Sequence, residues 1–394
     1  MLLARRTFEP MTTRRDFLKT SAVASGLALS GGVPALARAA ESALSPRVAP
    51  MRILVFGGTG YIGPHLVKAL VARGHMVSIF SRGRHDGGDL PANIERLVGD
   101  RLINDTIPQG DLKALAGRRF DAVFDDPATD PRWVRQSATL LKDSGAYMFV
   151  SSTGVFYPYK TANATESAPT TPEAAAKPDA TDRVDGSATY GYQKAQCEQI
   201  VMDVFRDRGF VVRPAYIVGP GDTSDRFTYW PQRLARGGET LAPGRPTDRI
   251  AIVDVRDLVD FMVKLVEEKR GGIYNVSGPR EPMGFGDFLA RAKAALKSDS
   301  TFVWAGDYDW LRQNRLGSAV PWIRLDGNNE YHTWINNAKA VGAGLKFRPL
   351  EESVRDVLAW WPERLKLLAA GQQPRFWTTP EREQQLLAAW KARG

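Results

Sequence analysis

The sequence has 394 residues, of which 43% are hydrophobic and 25% are charged. These proportions are typical of a folded globular protein, and they exclude a collagen-like fibre and a disordered chain. A single cysteine, Cys197, excludes an intramolecular disulfide. The formal net charge is +9, but residues 1–40 carry four of those charges. The remaining basic excess is modest, which argues against a nucleic-acid partner.

The first forty residues have the organisation of an export signal. Arg14 and Arg15 are followed by Phe17-Leu18-Lys19 and by a mildly apolar run over residues 22–37, where small residues suit cleavage. This pattern resembles a twin-arginine signal, and the run is too short and too weakly apolar to span a membrane. We therefore expect a signal over 1–40 and a linker over 41–50. The signal predicts a periplasmic or exported protein that has the twin-arginine translocase as a partner. A disordered basic N-terminus is the alternative.

A glycine-rich turn opens the chain after the linker. It follows the apolar run Ile53–Phe56 and leads into residues 66–71, which have helical spacing, and then into a second strand-like run over 76–80. Glycines allow a pyrophosphate to approach the backbone, and the following helix presents N–H donors to it. The predicted dinucleotide-binding residues of this turn are Gly57, Gly60, Tyr61, Ile62 and Gly63.

The end of the second strand contacts the adenosine ribose in sites of this kind. An acidic residue there would accept a hydrogen bond from a free 2′-hydroxyl, but this chain has Ser81-Arg82-Gly83-Arg84. Because a guanidinium suits a 2′-phosphate, the sequence favours NADP over NAD; a solvated surface charge is the alternative reading of Arg82. We assign Ser81 and Arg82 to the cofactor. Asp100, which follows the third strand, is assigned to the adenine edge.

A tyrosine and a lysine lie four residues apart at the start of a predicted helix. Side chains at this spacing share one helix face, so the ammonium of Lys194 is expected to lower the pKa of the Tyr190 phenol. Such a phenol can exchange a proton with an alcohol or a ketone. Thr153 follows the strand 147–150 and is placed to hydrogen-bond the same substrate oxygen. These three residues are the predicted catalytic group.

Taken in chain order, the motifs resemble those of the extended short-chain dehydrogenase/reductases in the NAD-dependent epimerase/dehydratase family. They are Gly57–Gly63, Ser151–Thr153, Tyr190 with Lys194, Arg213-Pro214 with Gly219–Asp222, Val253–Leu258 and Tyr274–Val276. The likeness covers about residues 51–362. It implies an α/β fold, with a doubly wound parallel sheet of the Rossmann type and a smaller C-terminal α/β substrate lobe. The corresponding boundaries are a dinucleotide-binding core over 51–214, a mixed core and substrate lobe over 215–362, and a helical tail over 363–394.

The resemblance also implies roles for individual residues. Tyr190 would be the acid/base, Lys194 would hold the nicotinamide ribose, and Pro214 would border the nicotinamide. One segment departs from the family pattern. Phe124-Asp125-Asp126-Pro127-Ala128 replaces the small apolar stretch that usually follows the fourth strand. The two carboxylates put in doubt the contact that this stretch usually makes with the cofactor. The alternative is that they contact the substrate.

The substrate lobe is expected to contain the residues that recognise the substrate. The candidates are arginines near the family's diphosphate-binding positions and tryptophans that either stack on a sugar or fill the lobe core. They are Arg226, Arg233, Arg245 and Arg249, and Trp304, Trp310, Trp322 and Trp334. The four histidines show no metal-binding spacing. The C-terminal tail is expected to form an amphipathic helix, with a homodimer contact as one use.

The expected function is that of an NAD(P)-dependent epimerase/dehydratase-type oxidoreductase acting on a carbohydrate-like small molecule. Export favours a tightly bound cofactor that each cycle regenerates, because the periplasm has no evident pool of reduced nicotinamide. Two alternatives stay open. One is an NADP-dependent reductase of ketones or aldehydes. The other is a non-catalytic nucleotide- or RNA-binding relative, since chloroplast stem-loop binding proteins resemble the same family.

Overall fold

The structure is a computed structural model that describes residues 48–84, 87–102, 110–171, 187–369 and 371–393. The predicted export signal over 1–40 lies outside the described residues, as does most of the linker. Residues Pro50–Gly394 form one compact unit. Within the described ranges, no helix is long and apolar enough to cross a membrane.

Fourteen strands occur in the described residues. They are β1 (Arg52–Phe56), β2 (Met76–Ser81), β3 (Glu95–Val98), β4 (Ala122–Asp125), β5 (Tyr147–Val150), β6 (Gly209–Pro214), β7 (Tyr216–Val218), β8 (Glu239–Pro243), β9 (Arg249–Asp254), β10 (Gly272–Val276), β11 (Gly278–Gly284), β12 (Thr301–Ala305), β13 (Ser318–Ala319) and β14 (Trp322–Ile323).

The same residues contain ten α-helices. They are α1 (Ile62–Ala72), α2 (Pro131–Leu140), α3 (Ser187–Phe205), α4 (Tyr229–Ala235), α5 (Val255–Glu267), α6 (Phe285–Leu296), α7 (Tyr308–Gln313), α8 (Ala338–Gly342), α9 (Leu350–Lys366) and α10 (Pro380–Lys391).

A seven-stranded sheet in the order β10-β6-β5-β4-β1-β2-β3 forms the centre of the fold, and all of its strand pairs are parallel. The sheet is covered on both faces because alternate residues of a strand point to opposite sides. Ile53 and Val55 pack with α1 and α5, whereas Leu54 and Phe56 pack with α2 and α3. The predicted α/β fold with a doubly wound parallel sheet is confirmed.

The order of the strands locates the ligand crevice. The chain leaves β1 toward β2 and β3 on one side, and it returns to place β4, β5 and β6 on the other side. In open α/β sheets, ligands bind outside the carboxyl ends of the strands at the point where the order reverses. That point lies between β1 and β4, so the glycine turn after β1 and the segment after β4 face the same crevice.

The C-terminal part supplies a smaller lobe around small sheets. Strands β11, β9 and β7 form a three-stranded sheet, and β12 pairs with β8. The lobe core is rich in aromatic side chains. Trp230 and Trp322 are fully buried, and the ring of Phe285 packs against both. The α4 and α6 helices cover this aromatic core.

A buried ion pair joins β4 to the segment after β3. Arg101 donates from Nη1 and Nη2 to the two carboxylate oxygens of Asp125 at 2.8 and 2.9 Å. The Tyr147 hydroxyl donates to Asp125 at 2.6 Å, and the Ser137 hydroxyl lies 2.9 Å from that of Tyr147. The Arg101 guanidinium also lies 4.3 Å from the centre of the Phe56 ring. The carboxylate of Asp125 therefore serves the core and is not a substrate or cofactor contact.

Removal of Arg101 tests this network. We expect Arg101→Met to lower the free energy of unfolding by about 3–5 kcal/mol, because it leaves the Asp125 carboxylate buried without its cation. Arg118→Met is the matched control, since its pair with Glu95 is more than two-fifths exposed on both sides and is expected to contribute less than about 1 kcal/mol. Urea unfolding of both variants measures the difference. Equal losses would contradict a structural role for the buried pair.

Candidate active site

The glycine turn after β1 is shaped by close backbone contacts. Gly57 has a φ of +82°, and the Gly60 N–H donates to its carbonyl oxygen at 2.9 Å. A Cβ at Gly63 would lie 2.1 Å from the same carbonyl oxygen. Helix α1 then begins without an acidic residue in its first turn and without a side-chain cap. The free N–H groups and the helix dipole therefore fit the pyrophosphate of a dinucleotide.

Two of the predicted cofactor residues make structural contacts through their side chains. The Tyr61 hydroxyl donates to the Gly219 carbonyl oxygen at 3.3 Å, and His65 Nε2 lies 2.8 Å from the Pro220 carbonyl oxygen. These bonds hold the start of α1 against the loop that follows β7. Ile62 is buried in the sheet core. The side chains of Tyr61 and Ile62 thus support the turn, and their backbone belongs to the start of the helix.

Ser81, Arg82 and Asp100 mark the ribose end of the crevice. Ser81 ends β2, and its hydroxyl accepts from the Gly83 N–H at 3.3 Å. Arg82 is exposed and makes no ion pair with the described residues. Asp100 stands after β3, where its carboxylate accepts from the Leu102 N–H at 2.9 Å. The structure thus places all three at the carboxyl ends of β2 and β3.

Lys194 is buried and fixed by two backbone carbonyls. Its Nζ donates to the Val150 oxygen at 2.8 Å and to the Ala128 oxygen at 2.9 Å, and the residue is only 4% exposed. Burial lowers the pKa of this ammonium, while the charge of Asp126 acts in the opposite direction. The lysine therefore joins α3 to the end of β5 and to the segment after β4. Pro214, the last residue of β6, is buried at the same edge of the sheet.

Tyr190 lies in the first turn of α3 and is 39% exposed. Ser152 Oγ lies close by, 3.2 Å from the position that a Cβ would take at Gly154. Gly154 lies beneath the ring, because a Cβ at this glycine would be 3.0 Å from Tyr190 Cε1. The structure therefore brings a phenol and a serine hydroxyl together at the carboxyl end of β5, beside the crevice.

Thr153, the third predicted catalytic residue, follows Ser152 directly and is more deeply buried. Ser152 has extended backbone angles, φ −160° and ψ 152°, so neighbouring side chains point in opposite directions. Thr153 begins the 3₁₀ turn Thr153–Phe156 and is only 4% exposed. Ser152 Oγ is the hydroxyl that lies near the Tyr190 ring, since both lie within 3.2 Å of the position that a Cβ would take at Gly154. The catalytic role of Thr153 stays a prediction.

The expectation that Lys194 lowers the pKa of Tyr190 is wrong for the protein without a ligand. Burial raises the pKa of Tyr190, although the nearby Ser152 hydroxyl and the charge of Arg226 act to lower it. The Lys194 ammonium lies 5.9 Å from the ring centre, and its donors are directed to the Val150 and Ala128 carbonyls. The phenol is therefore protonated at neutral pH.

A second group of side chains faces the same region from the lobe. The Arg226 guanidinium lies 5.6 Å from the ring centre of Tyr216, which in turn lies 5.3 Å from that of His332. His332 Nδ1 is buried and has no hydrogen-bond partner among the described residues. Burial lowers the pKa of this imidazole to about 4, so it is neutral. The sequence analysis did not identify Tyr216, although it stands two residues after Pro214.

The remaining arginine candidates divide into structural and exposed ones. Arg233 is buried, where it pairs with Glu383 and donates to the Gly237 oxygen. Arg245 lies over the ring of Tyr308, and Arg249 lies 4.3 Å from the ring centre of Trp334. Arg226 is therefore the candidate whose charge reaches Tyr190.

The tryptophan candidates divide in the same way. Trp310 and Trp322 are buried, and Trp322 Nε1 donates to Asp248 at 2.8 Å. Trp304 packs against Phe285 in the lobe core. Trp334 is 38% exposed and remains available to a ligand.

A parallel sheet with a glycine turn after its first strand and a Tyr–Lys pair after its fifth defines a dinucleotide-binding α/β protein of the oxidoreductase type. The sequence profile of the NAD dependent epimerase/dehydratase family matches residues 53–277. The chain belongs to this family.

Curated relatives and solved structures extend the comparison. The chain is 25% identical to chloroplast stem-loop binding protein of 41 kDa b from Arabidopsis thaliana, over 63% of each chain. It is 27% identical to epimerase family protein SDR39U1 from Bos taurus, over 62% of this chain and 81% of the relative. The chain thus spans less than two thirds of the chloroplast protein's length.

Among solved structures, the UDP-glucuronic acid 4-epimerase from Bacillus cereus in complex with NAD has a TM-score of 0.56 at 16% identity, covering 81% of this chain and 99% of that one. Vestitone reductase from alfalfa has a TM-score of 0.57 at 18% identity, covering 80% and 100%. At these identities the likeness shows the fold alone.

The raised pKa of Tyr190 can be tested by tyrosinate absorbance. Because the pKa lies above the ordinary tyrosine value of about 10, the wild type and Tyr190→Phe are expected to show the same tyrosinate absorbance from about pH 7 to pH 9. They should differ only at higher pH, where the wild type ionises one more phenol. An extra tyrosinate in the wild type between about pH 7 and pH 9 would show that the charge of Lys194, and not burial, determines the pKa of Tyr190.

Proposed function

We propose that the chain is an NAD(P)-dependent epimerase/dehydratase-type oxidoreductase that acts on a hydroxyl or ketone of a sugar or sugar-like molecule. The observation that carries this proposal is that the Tyr190 ring and the Ser152 hydroxyl both lie within 3.2 Å of the position that a Cβ would take at Gly154, at the carboxyl end of β5. Only β4 separates β5 from β1, so the pair stands about 10 Å from the strand that carries the glycine turn. A dinucleotide bound at the turn would extend across this distance.

The chain's own residues supply the proton chemistry. The Tyr190 hydroxyl is protonated at neutral pH, so it is ready to donate to a ketone oxygen as a general acid. The Ser152 hydroxyl would orient the same substrate oxygen, and Lys194 fixes the helix that carries Tyr190. A bound nicotinamide would accept or donate a hydride, and in its oxidised form it would add a positive charge. That charge favours the phenolate, which Tyr190 needs when it acts as a base toward an alcohol.

The exposed guanidinium of Arg82 at the end of β2 supports NADP as the favoured cofactor. Arg82 has no carboxylate partner among the described residues, and a 2′-phosphate would be an anionic partner for it. NAD remains the second cofactor of the proposal, because Ser81 and the rest of the glycine turn do not require the extra phosphate.

Export is part of the proposal and rests on the sequence alone. The paired arginines Arg14 and Arg15 and the apolar run after them support the twin-arginine route to the periplasm. A protein exported with its cofactor bound would need to return the hydride to its substrate in each cycle. This requirement favours an epimerase or dehydratase reaction over the NADP-dependent reduction of a ketone or aldehyde.

One comparison favours a second candidate function. The similarity to the chloroplast stem-loop binding protein supports a non-catalytic, RNA-binding role for this chain. The two candidates differ in what they need from Tyr190, because proton transfer to a substrate needs this phenol and RNA binding does not. RNA binding would also weaken steeply with added salt.

A nucleotide analysis and a matched pair of variants test the enzyme. We expect the protein purified from its exported form to release stoichiometric NAD(P) on denaturation. Tyr190→Phe should keep that nucleotide but lose about 100-fold or more of the turnover with a sugar substrate, followed by the absorbance of reduced nicotinamide. Tyr192→Phe is the control, because its hydroxyl accepts from Gln196 at 3.0 Å and it lies two residues away on the helix. A protein that carries no nucleotide, binds none and retains stem-loop RNA would contradict the enzyme proposal.

A further inference from the structure

The segment after β4 presses onto the first residue of the glycine turn. Pro127 Cδ lies 2.8 Å, and Asp126 Oδ2 lies 3.5 Å, from the position that a Cβ would take at Gly57. Asp126 therefore places a carboxyl group beside the backbone that fits a pyrophosphate.

This carboxyl group is not used by the contacts described above. Asp126 makes no hydrogen bond or ion pair with the part of the chain that the structure describes. Its neighbour Asp125 takes both Nη groups of Arg101, and Lys194 directs its ammonium to two carbonyl oxygens. The cations nearest to Asp126 are thus engaged elsewhere.

The charged groups that face Asp126 come from three elements. Lys194 on α3 and Arg101 after β3 favour the carboxylate, whereas Asp125 on β4 opposes it. The Tyr190 phenol is also within electrostatic reach. Burial outweighs the two cations and raises the pKa of Asp126 to about 7. The group therefore changes its charge near neutral pH in the protein without a ligand.

A dinucleotide would change this balance. Its pyrophosphate carries negative charge, and an ionised carboxylate beside it would be repelled in a poorly solvated crevice. A protonated carboxyl avoids the repulsion, and its O–H can donate a hydrogen bond to a phosphate or ribose oxygen.

We propose that dinucleotide binding takes up one proton from solvent onto Asp126, so that a neutral carboxyl group faces the bound cofactor. The inference rests on the proposed function only in requiring that the glycine turn takes a dinucleotide. It gives Asp126 a positioning role for the cofactor that the glycine turn alone does not provide.

The direction of the pH dependence follows from linkage. Below about pH 6 the carboxyl is already protonated in the free protein, and binding takes up no proton there. At about pH 8 the free protein has an ionised Asp126, and binding has to protonate it. If binding raises the pKa by one to two units, the affinity for the dinucleotide falls about five- to tenfold between pH 6 and pH 8.

Calorimetry of the full chain, stripped of nucleotide, measures this proton directly. NADP and NAD are titrated at about pH 6 and pH 8, each in two buffers with different ionisation enthalpies, because the difference in heat gives the number of protons taken up. We expect an uptake of about 0.4 to 0.8 of a proton at pH 8 and close to zero at pH 6. Asp126→Asn should take up none, bind with little dependence on pH, and exceed the wild-type affinity at pH 8 about five- to tenfold.

Asp89→Asn is the matched control. It removes the same charge from an exposed pair with Lys68, and Lys68 keeps the pKa of Asp89 low. This variant should therefore show the proton uptake of the wild type.

The outcomes separate the two proposals. Wild-type binding whose affinity and heat do not change with pH would overturn the role of Asp126 and leave the cofactor site intact. Weaker binding by Asp126→Asn would also overturn it, because the residue would then act as an ionised acceptor. If neither dinucleotide binds, the cofactor site and the inference both fail. The wild-type uptake alone decides the question if Asp126→Asn does not fold.

Discussion

The geometry of the candidate site depends on the buried ammonium of Lys194. A buried charge is tolerated only when hydrogen bonds replace its lost solvation, and the carbonyl oxygens of Val150 and Ala128 provide them. These carbonyls belong to the end of β5 and to the segment after β4. The ammonium therefore fixes α3 against both, and one helical turn earlier Tyr190 is held over Gly154 and next to Ser152. In the protein without a ligand, Lys194 therefore fixes the position of Tyr190 more than it influences the pKa of that phenol.

Three titratable groups around the crevice are neutral or only partly ionised near neutral pH. Tyr190 is protonated because burial raises its pKa, and His332 is neutral because burial lowers its own. Asp126 lies close to its midpoint. A site of this kind takes its final protonation state from the ligand that fills it. This property suits the proposed cofactor, whose ring alternates between a charged and an uncharged form.

The sequence could predict the parts of this site that depend on local spacing. The strand, glycine turn and helix over residues 53–71 form a local pattern, and Tyr190 and Lys194 are neighbours through helical periodicity alone. Residues that depend on the exact end of a strand could not be assigned. Ser152 and Thr153 differ by one position, and spacing alone does not say which of the two hydroxyls lies beside Tyr190.

Contacts between distant parts of the chain were also beyond the sequence analysis. Asp125 and Asp126 are adjacent, yet Arg101, 24 residues away, binds only the first. The contact between Tyr216 and His332 likewise joins remote segments. The direction of the Tyr190 pKa depends on burial, which residue spacing does not reveal. The fold itself does not choose an activity, because the similar solved structures include both an epimerase and a reductase. The identity of the side chains at the crevice therefore carries the functional argument.

A crystal structure of the full chain with bound NADP or NAD tests the central claim most directly. The account predicts the pyrophosphate on Gly57–Gly63 and the nicotinamide ring beside the Tyr190 hydroxyl, with room for a substrate carbon between them at about 3–3.5 Å from the ring. A dinucleotide bound away from the glycine turn, or a nicotinamide on the far side of β4 from Ser152 and Tyr190, would contradict it.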